Sequence, residues 1–340
     1  MLQWYLMVAR TMIARWQWLK GKGIAHIETW RPYTVIWCGL LSLTGACLVY
    51  GQLPPIDHVA LVLSIPIMGW IAGLYLSDYL DIRLDMIQKA HRPIPSGRIH
   101  PYEALMFGAM FAGLGLVLTI QLGFQNILLA FVAALLVFSY ARITKPRGIF
   151  GNINRGGLAV VSFLFGVLSI NGSLISIQLP VWLLCLVFLL HDMNTNLVGT
   201  LRDMKSDAEG GYRTIPVVYG LNAAISIAIT LSGIWFLLAA SIMTFYYSAS
   251  VLIYLFLLID ALLLLMIIRC LRELMRTYSR KKALTIHKCF VLERITLASA
   301  FITLIVGIKI GLMIYVSSLV FTILFQILLR NQYEFNKWEL

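Results

Sequence analysis

The chain has 340 residues, of which 60% are hydrophobic and only 12% charged; a soluble domain carries about 25% charge and about 45–50% apolar residues. A mean hydropathy of +0.85 excludes a single soluble core, a disordered chain and a nucleic-acid-binding module, because each needs far more charge to live in water. The net charge of +12 is read first as the bias of basic residues toward cytoplasmic loops of a membrane protein.

Residues 1–30 carry Arg10, Arg15, Lys20 and Lys22 among Trp4, Tyr5, Trp16 and Trp18. No uninterrupted apolar run or small-residue cleavage site accompanies them, so a basic amphipathic segment on the membrane surface is expected rather than a cleaved signal. Apolar runs long enough to span a bilayer follow at 33–52, 58–77, 101–121, 125–142, 156–173, 178–200, 217–243, 249–271 and 290–308. A further run at 310–330 is too far from the ninth to share one helix, so Gly307–Gly311 around Lys309 is expected to turn the chain toward a possible tenth span. The fold class is therefore all-α: a polytopic helical bundle of nine spans, possibly ten. Its expected organisation is a segment 1–30, a transmembrane domain 31–310, and a C-terminal helix and tail at 311–340.

The connections alternate in charge. Arg83 to Arg98, Arg142 to Arg155, Arg202 to Arg213 and Arg269 to Arg294 are each rich in Lys and Arg, whereas Gly51–His58, Gln121–Gln125, Asn171–Pro180 and Met243–Ser250 contain none. The positive-inside rule places the basic set and the N-terminus in the cytoplasm. Cys38, Cys47, Cys185, Cys270 and Cys289 show no C-x-x-C spacing, which argues against a metal–thiolate site or a disulfide scaffold.

Two acidic clusters lie in equivalent span-to-loop positions on that basic side. Asp78, Asp81 and Asp85 are spaced i, i+3, i+7, within roughly 60° of one another on a helix face. Each would cost about 2.5–3.5 kcal/mol at bilayer depth, so a cation must offset them. Magnesium is the candidate, because it takes oxygen ligands and bridges carboxylates to phosphates; an ion-pair network with Arg83, Lys89 and Arg92 is the plainer alternative. The second cluster extends a polar stripe of Asp192, Asn196, Thr200, Asp203 and Asp207 down an otherwise apolar helix, which must face the bundle interior or a cavity. His191 and Asp192 lie deepest, facing either a substrate or a neighbouring helix. Arg92, Arg98, Lys145, Arg147, Arg202, Lys205 and Arg213 surround the clusters, and carboxylates with cations at one place suit a diphosphate.

Over roughly residues 30–310 the sequence resembles the UbiA-type membrane prenyltransferases. Their NDxxDxxxD and RPxPSG elements correspond to Ser77-Asp78-Tyr79-Leu80-Asp81-Ile82-Arg83-Leu84-Asp85 and Arg92-Pro93-Ile94-Pro95-Ser96-Gly97. The second motif corresponds to Asp203 and Asp207 followed by Gly210-Gly211-Tyr212-Arg213-Thr214-Ile215-Pro216-Val217, and Tyr140, Lys145 and Gly151-Asn152 match the segment between. The resemblance implies a nine-helix bundle with a central cavity open to the cytoplasm and laterally to lipid. It implies two Mg2+ ions, one served by Asp78, Asp81 and Asp85 and the other by Asp203 and Asp207. Arg92, Lys145 and Arg213 would contact a polyprenyl diphosphate, with Arg202, Tyr140 and Asn196 completing the binding set. Ser77 stands where the family has Asn; its oxygen reaches less far and leaves more of the role to Asp78.

The implied function is transfer of a prenyl group from a polyprenyl diphosphate to an aromatic or lipid acceptor, in an integral protein of a cytoplasmic or organelle membrane. The RPIPSGRI wording resembles branches acting on geranylgeranylglyceryl phosphate or chlorophyllide, with homogentisate-type and polyprenyl-benzoate enzymes also open. The chemistry expected is metal-assisted diphosphate departure, a cation sheltered by an apolar wall, and faces such as Trp70, Tyr75 and Tyr140 beside it. A UbiA-type terpene cyclase and a phosphoribosyl transferase to a lipid phosphate use related sites. A cation-coupled transporter is disfavoured because the acids lie at span ends, away from the midplane.

Overall fold

The computed structural model describes residues 21–173, 178–247 and 251–335. The first 20 residues of the expected amphipathic segment lie outside that range. Residues 21–30 form a helix, α1, docked on the bundle by Lys22 Nζ to Glu103 (2.6 Å), Trp30 Nε1 to Tyr75 Oη (2.8 Å) and Arg98 to Glu28 (2.6 Å).

The chain then runs through α2 (Pro32–Tyr50), α3 (Ile56–Leu80), a short α4 (Ile82–Gln88), α5 (Pro101–Thr119), α6 (Phe124–Ser139), α7 (Ile149–Asn171), α8 (Leu179–Glu209), α9 (Ile215–Tyr246), α10 (Val251–Arg276), α11 (Arg280–Val306), α12 (Ile308–Phe325) and α13 (Asn331–Glu334). No strand occurs among the described residues. Proline in the first turn opens α2, α5, α8 and α9, where its missing N–H has no helical partner to lose. Gly51 and Gly172 close α2 and α7 in the left-handed conformation.

Among the described residues ten helices are long and apolar enough to cross a membrane, and the tenth of them covers the run expected at 310–330. The break before it is a single residue: Gly307, at φ 83, ends α11 and α12 starts at Ile308. This corrects the expected turn over Gly307–Gly311. Lys309 is already helical and exposed, and a Cβ on Gly311 would stand 2.1 Å from Thr303 Oγ1, so that glycine serves the packing of α12 on α11.

Helices α2, α7, α8 and α11 form the inner layer, contributing Trp37, Phe163, Phe188 and Phe301 to one buried core. Small residues let α2 and α7 close up: a Cβ on Gly45 would lie 2.3 Å from Phe163 O, and one on Gly166 would lie 1.7 Å from Ser42 O. Such backbone approach supplies packing where lipid removes the hydrophobic drive between helices. The outer helices instead present apolar side chains outward, among them Leu128 and Leu135 of α6 and Leu258 and Leu262 of α10. Ten apolar spans with outward-facing hydrocarbon make this an integral, multi-pass membrane protein.

Candidate active site: two aspartate clusters on one cavity

A cavity of about 700 Å³ opens among α2, α3, α5, α6, α7, α8 and α11. One wall is apolar, built from residues such as Leu105, Phe111, Leu116, Leu129 and Phe131. Both aspartate clusters line the other end: Asp78, Asp81, Asp85, Asp203 and Asp207 all face it.

The first cluster is not on one continuous helix. Helix α3 stops at Leu80, Asp81 takes φ −89 and ψ 3, and α4 restarts at Ile82. The expected single face is thereby corrected: Asp78 belongs to the last turn of α3, Asp81 to the junction and Asp85 to α4. All three are nonetheless buried and converge on the cavity. The second cluster follows the expected stripe, since Asn196, Thr200, Asp203 and Asp207 of the unbroken α8 line the cavity together.

Each carboxylate has its own partner. Asp78 accepts from Arg31 and, at 2.7 Å, from the Tyr333 hydroxyl. Asp81 is held by Lys145 and touches the Tyr212 hydroxyl at 3.4 Å. Asp85 takes both contacts from Arg92 Nη1, at 3.1 and 2.9 Å. Lys89 crosses from the first-motif loop to Asp203 at 2.9 Å, and Arg202 reaches the same carboxylate at 3.0 and 2.5 Å. Among the described residues Asp207 accepts only from Thr214 Oγ1, at 3.3 Å. The ion-pair network expected as the plainer alternative thus exists, without Arg83, which is exposed.

Burial by itself raises the Asp85 carboxyl, but Arg92, Lys89 and Lys145 outweigh it and hold it below the usual carboxylate range. Burial lowers Lys145, and Asp81 with Tyr140 and Tyr212 reverses that, so its ammonium is held above the ordinary lysine value. Lys89 goes the other way, because burial and the neighbouring Arg92 outweigh Asp203. Burial pushes the Tyr212 phenol up to about 12 against the pull of Lys145.

Of the cations expected around the clusters, Arg92, Lys145 and Arg202 line the cavity. Arg98, Arg147, Lys205 and Arg213 have exposed side chains. Arg213, expected at the diphosphate, is not among the lining residues, and its backbone N–H bonds to Pro146 O at 2.9 Å. A π-turn over Tyr140–Thr144 follows α6, and its wider pitch carries both Tyr140 and Lys145 into the lining. The Tyr140 hydroxyl donates to Asn196 Oδ1 at 3.0 Å.

His191 is fully buried on Glu293 (2.7 Å), and Asp192 accepts from Trp37 Nε1 (3.1 Å). Neither lines the cavity, so the deep pair joins helices. Trp70 lines the cavity beneath the Arg155 guanidinium (4.4 Å), whereas Tyr75 is fully buried and held by His26 and Trp30.

Sequence reasoning missed Arg31, Arg155, Arg294, Arg330, Tyr333 and Glu334. Glu334 places its carboxylate between Arg202 (2.8 Å) and Arg92 (3.4 Å), and Arg92 and Arg31 stack on the Tyr333 ring at 4.2 and 4.5 Å. The signal for Arg294 was present, a charged residue inside an apolar span; Arg155 depends on the packing of α7 against Asp192 and Trp70, and Tyr333, Glu334 and Arg330 on where the C-terminal segment returns.

No three His, Cys, Asp or Glu side chains among the described residues stand close enough to hold a metal ion. The donor chemistry still fits magnesium, because the set is all oxygen and divided into two groups. Magnesium ordinarily takes one or two protein carboxylates and fills its shell with phosphate oxygens and water.

An apolar cavity with acids and cations gathered at one end of a transmembrane bundle fits a membrane-embedded enzyme of amphiphilic phosphorylated substrates. The UbiA prenyltransferase family model matches residues 38–289, and the chain belongs to that family. It is similar to the digeranylgeranylglyceryl phosphate synthase of Methanospirillum hungatei, at 31% identity over 61% of this chain and 72% of the relative. The synthase of the same name from Pyrococcus horikoshii is 29% identical over 58% of this chain and 69% of the relative. A solved digeranylgeranylglyceryl phosphate synthase shares the fold with a TM-score of 0.62 at 24% identity, covering 84% of this chain and 99% of its own. A UbiA homologue from Archaeoglobus fulgidus, solved with GPP and Mg2+, aligns with a TM-score of 0.60 at 17% identity over 81% of this chain and 99% of its own. The protein is a UbiA-family membrane prenyltransferase.

Proposed function

We propose that this prenyltransferase moves a prenyl group from a polyprenyl diphosphate to a hydroxyl of a glycerol-phosphate lipid, with the reacting end of the cavity on the cytoplasmic side. The observation that carries the reading is the meeting of five aspartates, from the α3–α4 junction and the end of α8, at the polar end of one apolar cavity. The acceptor class is supported by the relatives named digeranylgeranylglyceryl phosphate synthase, and the sidedness by the Lys and Arg of the connecting loops.

Magnesium, held by Asp78, Asp81 and Asp85 on one side and Asp203 and Asp207 on the other, would supply charge to the departing diphosphate. Arg92, Lys145 and Arg202 bind the phosphate oxygens that magnesium leaves and orient the C–O bond toward the apolar wall. Lys89, on Asp203 across the cavity, keeps the two clusters at a fixed separation. The wall of α3, α5 and α6 takes the isoprenoid chain and excludes water from the cation formed when that bond breaks. The faces of Trp70 and Tyr140 stand beside the path of that cation.

The test is diphosphate release by the purified chain in nanodiscs from labelled geranyl, farnesyl and geranylgeranyl diphosphates. Release that needs both magnesium and a glycerol-phosphate lipid, with label in the lipid product, is the expected result. Release without any acceptor, giving a hydrocarbon or alcohol, would replace the reading with the cyclase.

A further inference from the structure

The polar lining of the cavity carries eight Lys and Arg against six Asp and Glu. Six of the eight cations are paired: Arg31 with Asp78, Lys89 and Arg202 with Asp203, Arg92 with Asp85, Lys145 with Asp81 and Arg155 with Asp192. Arg294 and Arg330 are the surplus. Neither has a carboxylate within 4 Å among the described residues. They are 3% and 1% exposed, where an uncompensated charge is costly.

Their few contacts leave donors unused. Arg294 Nη2 donates to Thr34 O at 3.2 Å, and its guanidinium lies 5.4 Å from the Trp37 ring. Arg330 bonds to His287 Nδ1 and stacks on the Tyr33 ring at 5.0 Å. Arg294 Nε and Arg330 Nε and Nη1 are buried without any partner. The two arginines are brought together by neighbours on α2, Tyr33 and Thr34, and by His287 two turns before Arg294 on α11. All of these side chains line the cavity.

We propose that Arg294 and Arg330, with His287 beside them, form the seat for the phosphate monoester of the lipid acceptor. The inference rests on the prenyl-transfer reading and deepens it by assigning the acceptor's headgroup to residues that no aspartate cluster engages. A dianionic phosphate matches two guanidinium forks in charge and in geometry, each fork offering parallel N–H donors to two oxygens. The donor diphosphate has its own cations, Arg92, Arg202 and Lys145, at the aspartate end. Two anions of one cavity are thereby held by separate groups of cations, and the acceptor's glycerol hydroxyl, a few bonds from its phosphate, is tethered near the donor.

The experiment uses the full chain in nanodiscs and two acceptor probes, a monoprenylated glyceryl phosphate and the same lipid without its phosphate. Thermal unfolding without donor or magnesium is the first readout. The phosphate lipid is expected to raise Tm in the wild type and not in R294Q or R330Q, while the dephosphorylated lipid raises none of them comparably. Inorganic phosphate should give no shift, because it brings no chain into the apolar wall; a shift equal to the lipid's would overturn a lipid acceptor. In turnover, each variant is expected to raise KM for the phosphate lipid about 10- to 100-fold, the range of a lost charge-assisted contact, with KM for the donor unchanged. R294K should recover part of the loss, and circular dichroism of each variant checks folding. Equal Tm shifts by both lipids, or an unchanged acceptor KM in both variants, would overturn the assignment. A wild type that binds the phosphate lipid but transfers no prenyl group would sink the reaction and leave the phosphate seat standing.

Discussion

Asp207 and Asp81 are both buried carboxylates on the same cavity, but their partners differ, and so do the expected effects of replacing them. Asp207 accepts one hydrogen bond, from Thr214, so Asp207→Asn should change Tm little. On the proposed mechanism it should lower kcat by at least about 100-fold, comparable to removal of one preorganised electrostatic contact; near-normal turnover would remove Asp207 from the diphosphate site. Asp81→Ala should also abolish turnover, and it leaves the half-buried Lys145 ammonium without its partner as well, so it is expected to lower stability by about 1–3 kcal/mol. Asp85 gives a pH signature. Its carboxyl is held below the ordinary value by Arg92 and its neighbours, so its contribution is full above about pH 4 and is lost as pH falls through the depressed value. In R92Q the largest part of that compensation is lost while Lys89 and Lys145 remain, and the acid limb of Tm against pH should move to higher pH. An unmoved limb would show that Arg92 does not set the ionisation of Asp85.

The short α13 has an effect out of proportion to its four residues. It sets Glu334 between Arg92 and Arg202 and the Tyr333 hydroxyl on Asp78, so an anion of the chain itself already occupies the cations assigned to the donor diphosphate. A diphosphate entering there displaces that carboxylate. E334Q is therefore expected to lower KM for the donor several-fold, since a neutral amide competes less well for two arginines; a raised KM would show that Glu334 assists donor binding. The tight contact of α2 with α7 depends on backbone proximity instead. A valine at Gly166 has no room beside the Ser42 carbonyl, so Gly166→Val is expected to prevent folding in detergent, read as loss of a monodisperse species.

Across the whole molecule, helices with polar lining sit inside and helices with hydrocarbon on most faces sit outside. This is the arrangement a lipid solvent requires, because a cavity for charged phosphates is tolerable only where protein surrounds it. Charged residues on the periphery should then be free of the chemistry. Lys309 is exposed on α12 and outside the cavity lining, so Lys309→Gln should leave diphosphate release within about twofold; complete loss in a folded protein would mean the cavity has been misplaced.

Several features were legible without coordinates because each depends on local chemistry. Apolar runs of bilayer length gave the helices, and the charge of successive loops their alternation. The Asp78–Asp81–Asp85 and Asp203–Asp207 spacings marked the polar end of the cavity, since acids beside apolar spans require compensation. What pairs with what was decided only by the tertiary structure. Arg31 and Tyr333 reach Asp78, and Glu334 reaches Arg92 and Arg202, from distant parts of the chain, and no local pattern encodes a contact between residues 31 and 333. Lys145 lines the cavity on Asp81 while the Arg213 side chain is exposed, a difference that the spacing of neither motif encodes. Arg294 could be seen in the sequence as a charge inside an apolar span, but its want of a partner could not. Compensation of charge is a property of three-dimensional neighbours, and only the packing of α2, α8, α11 and the returning C-terminus shows which cations are left over.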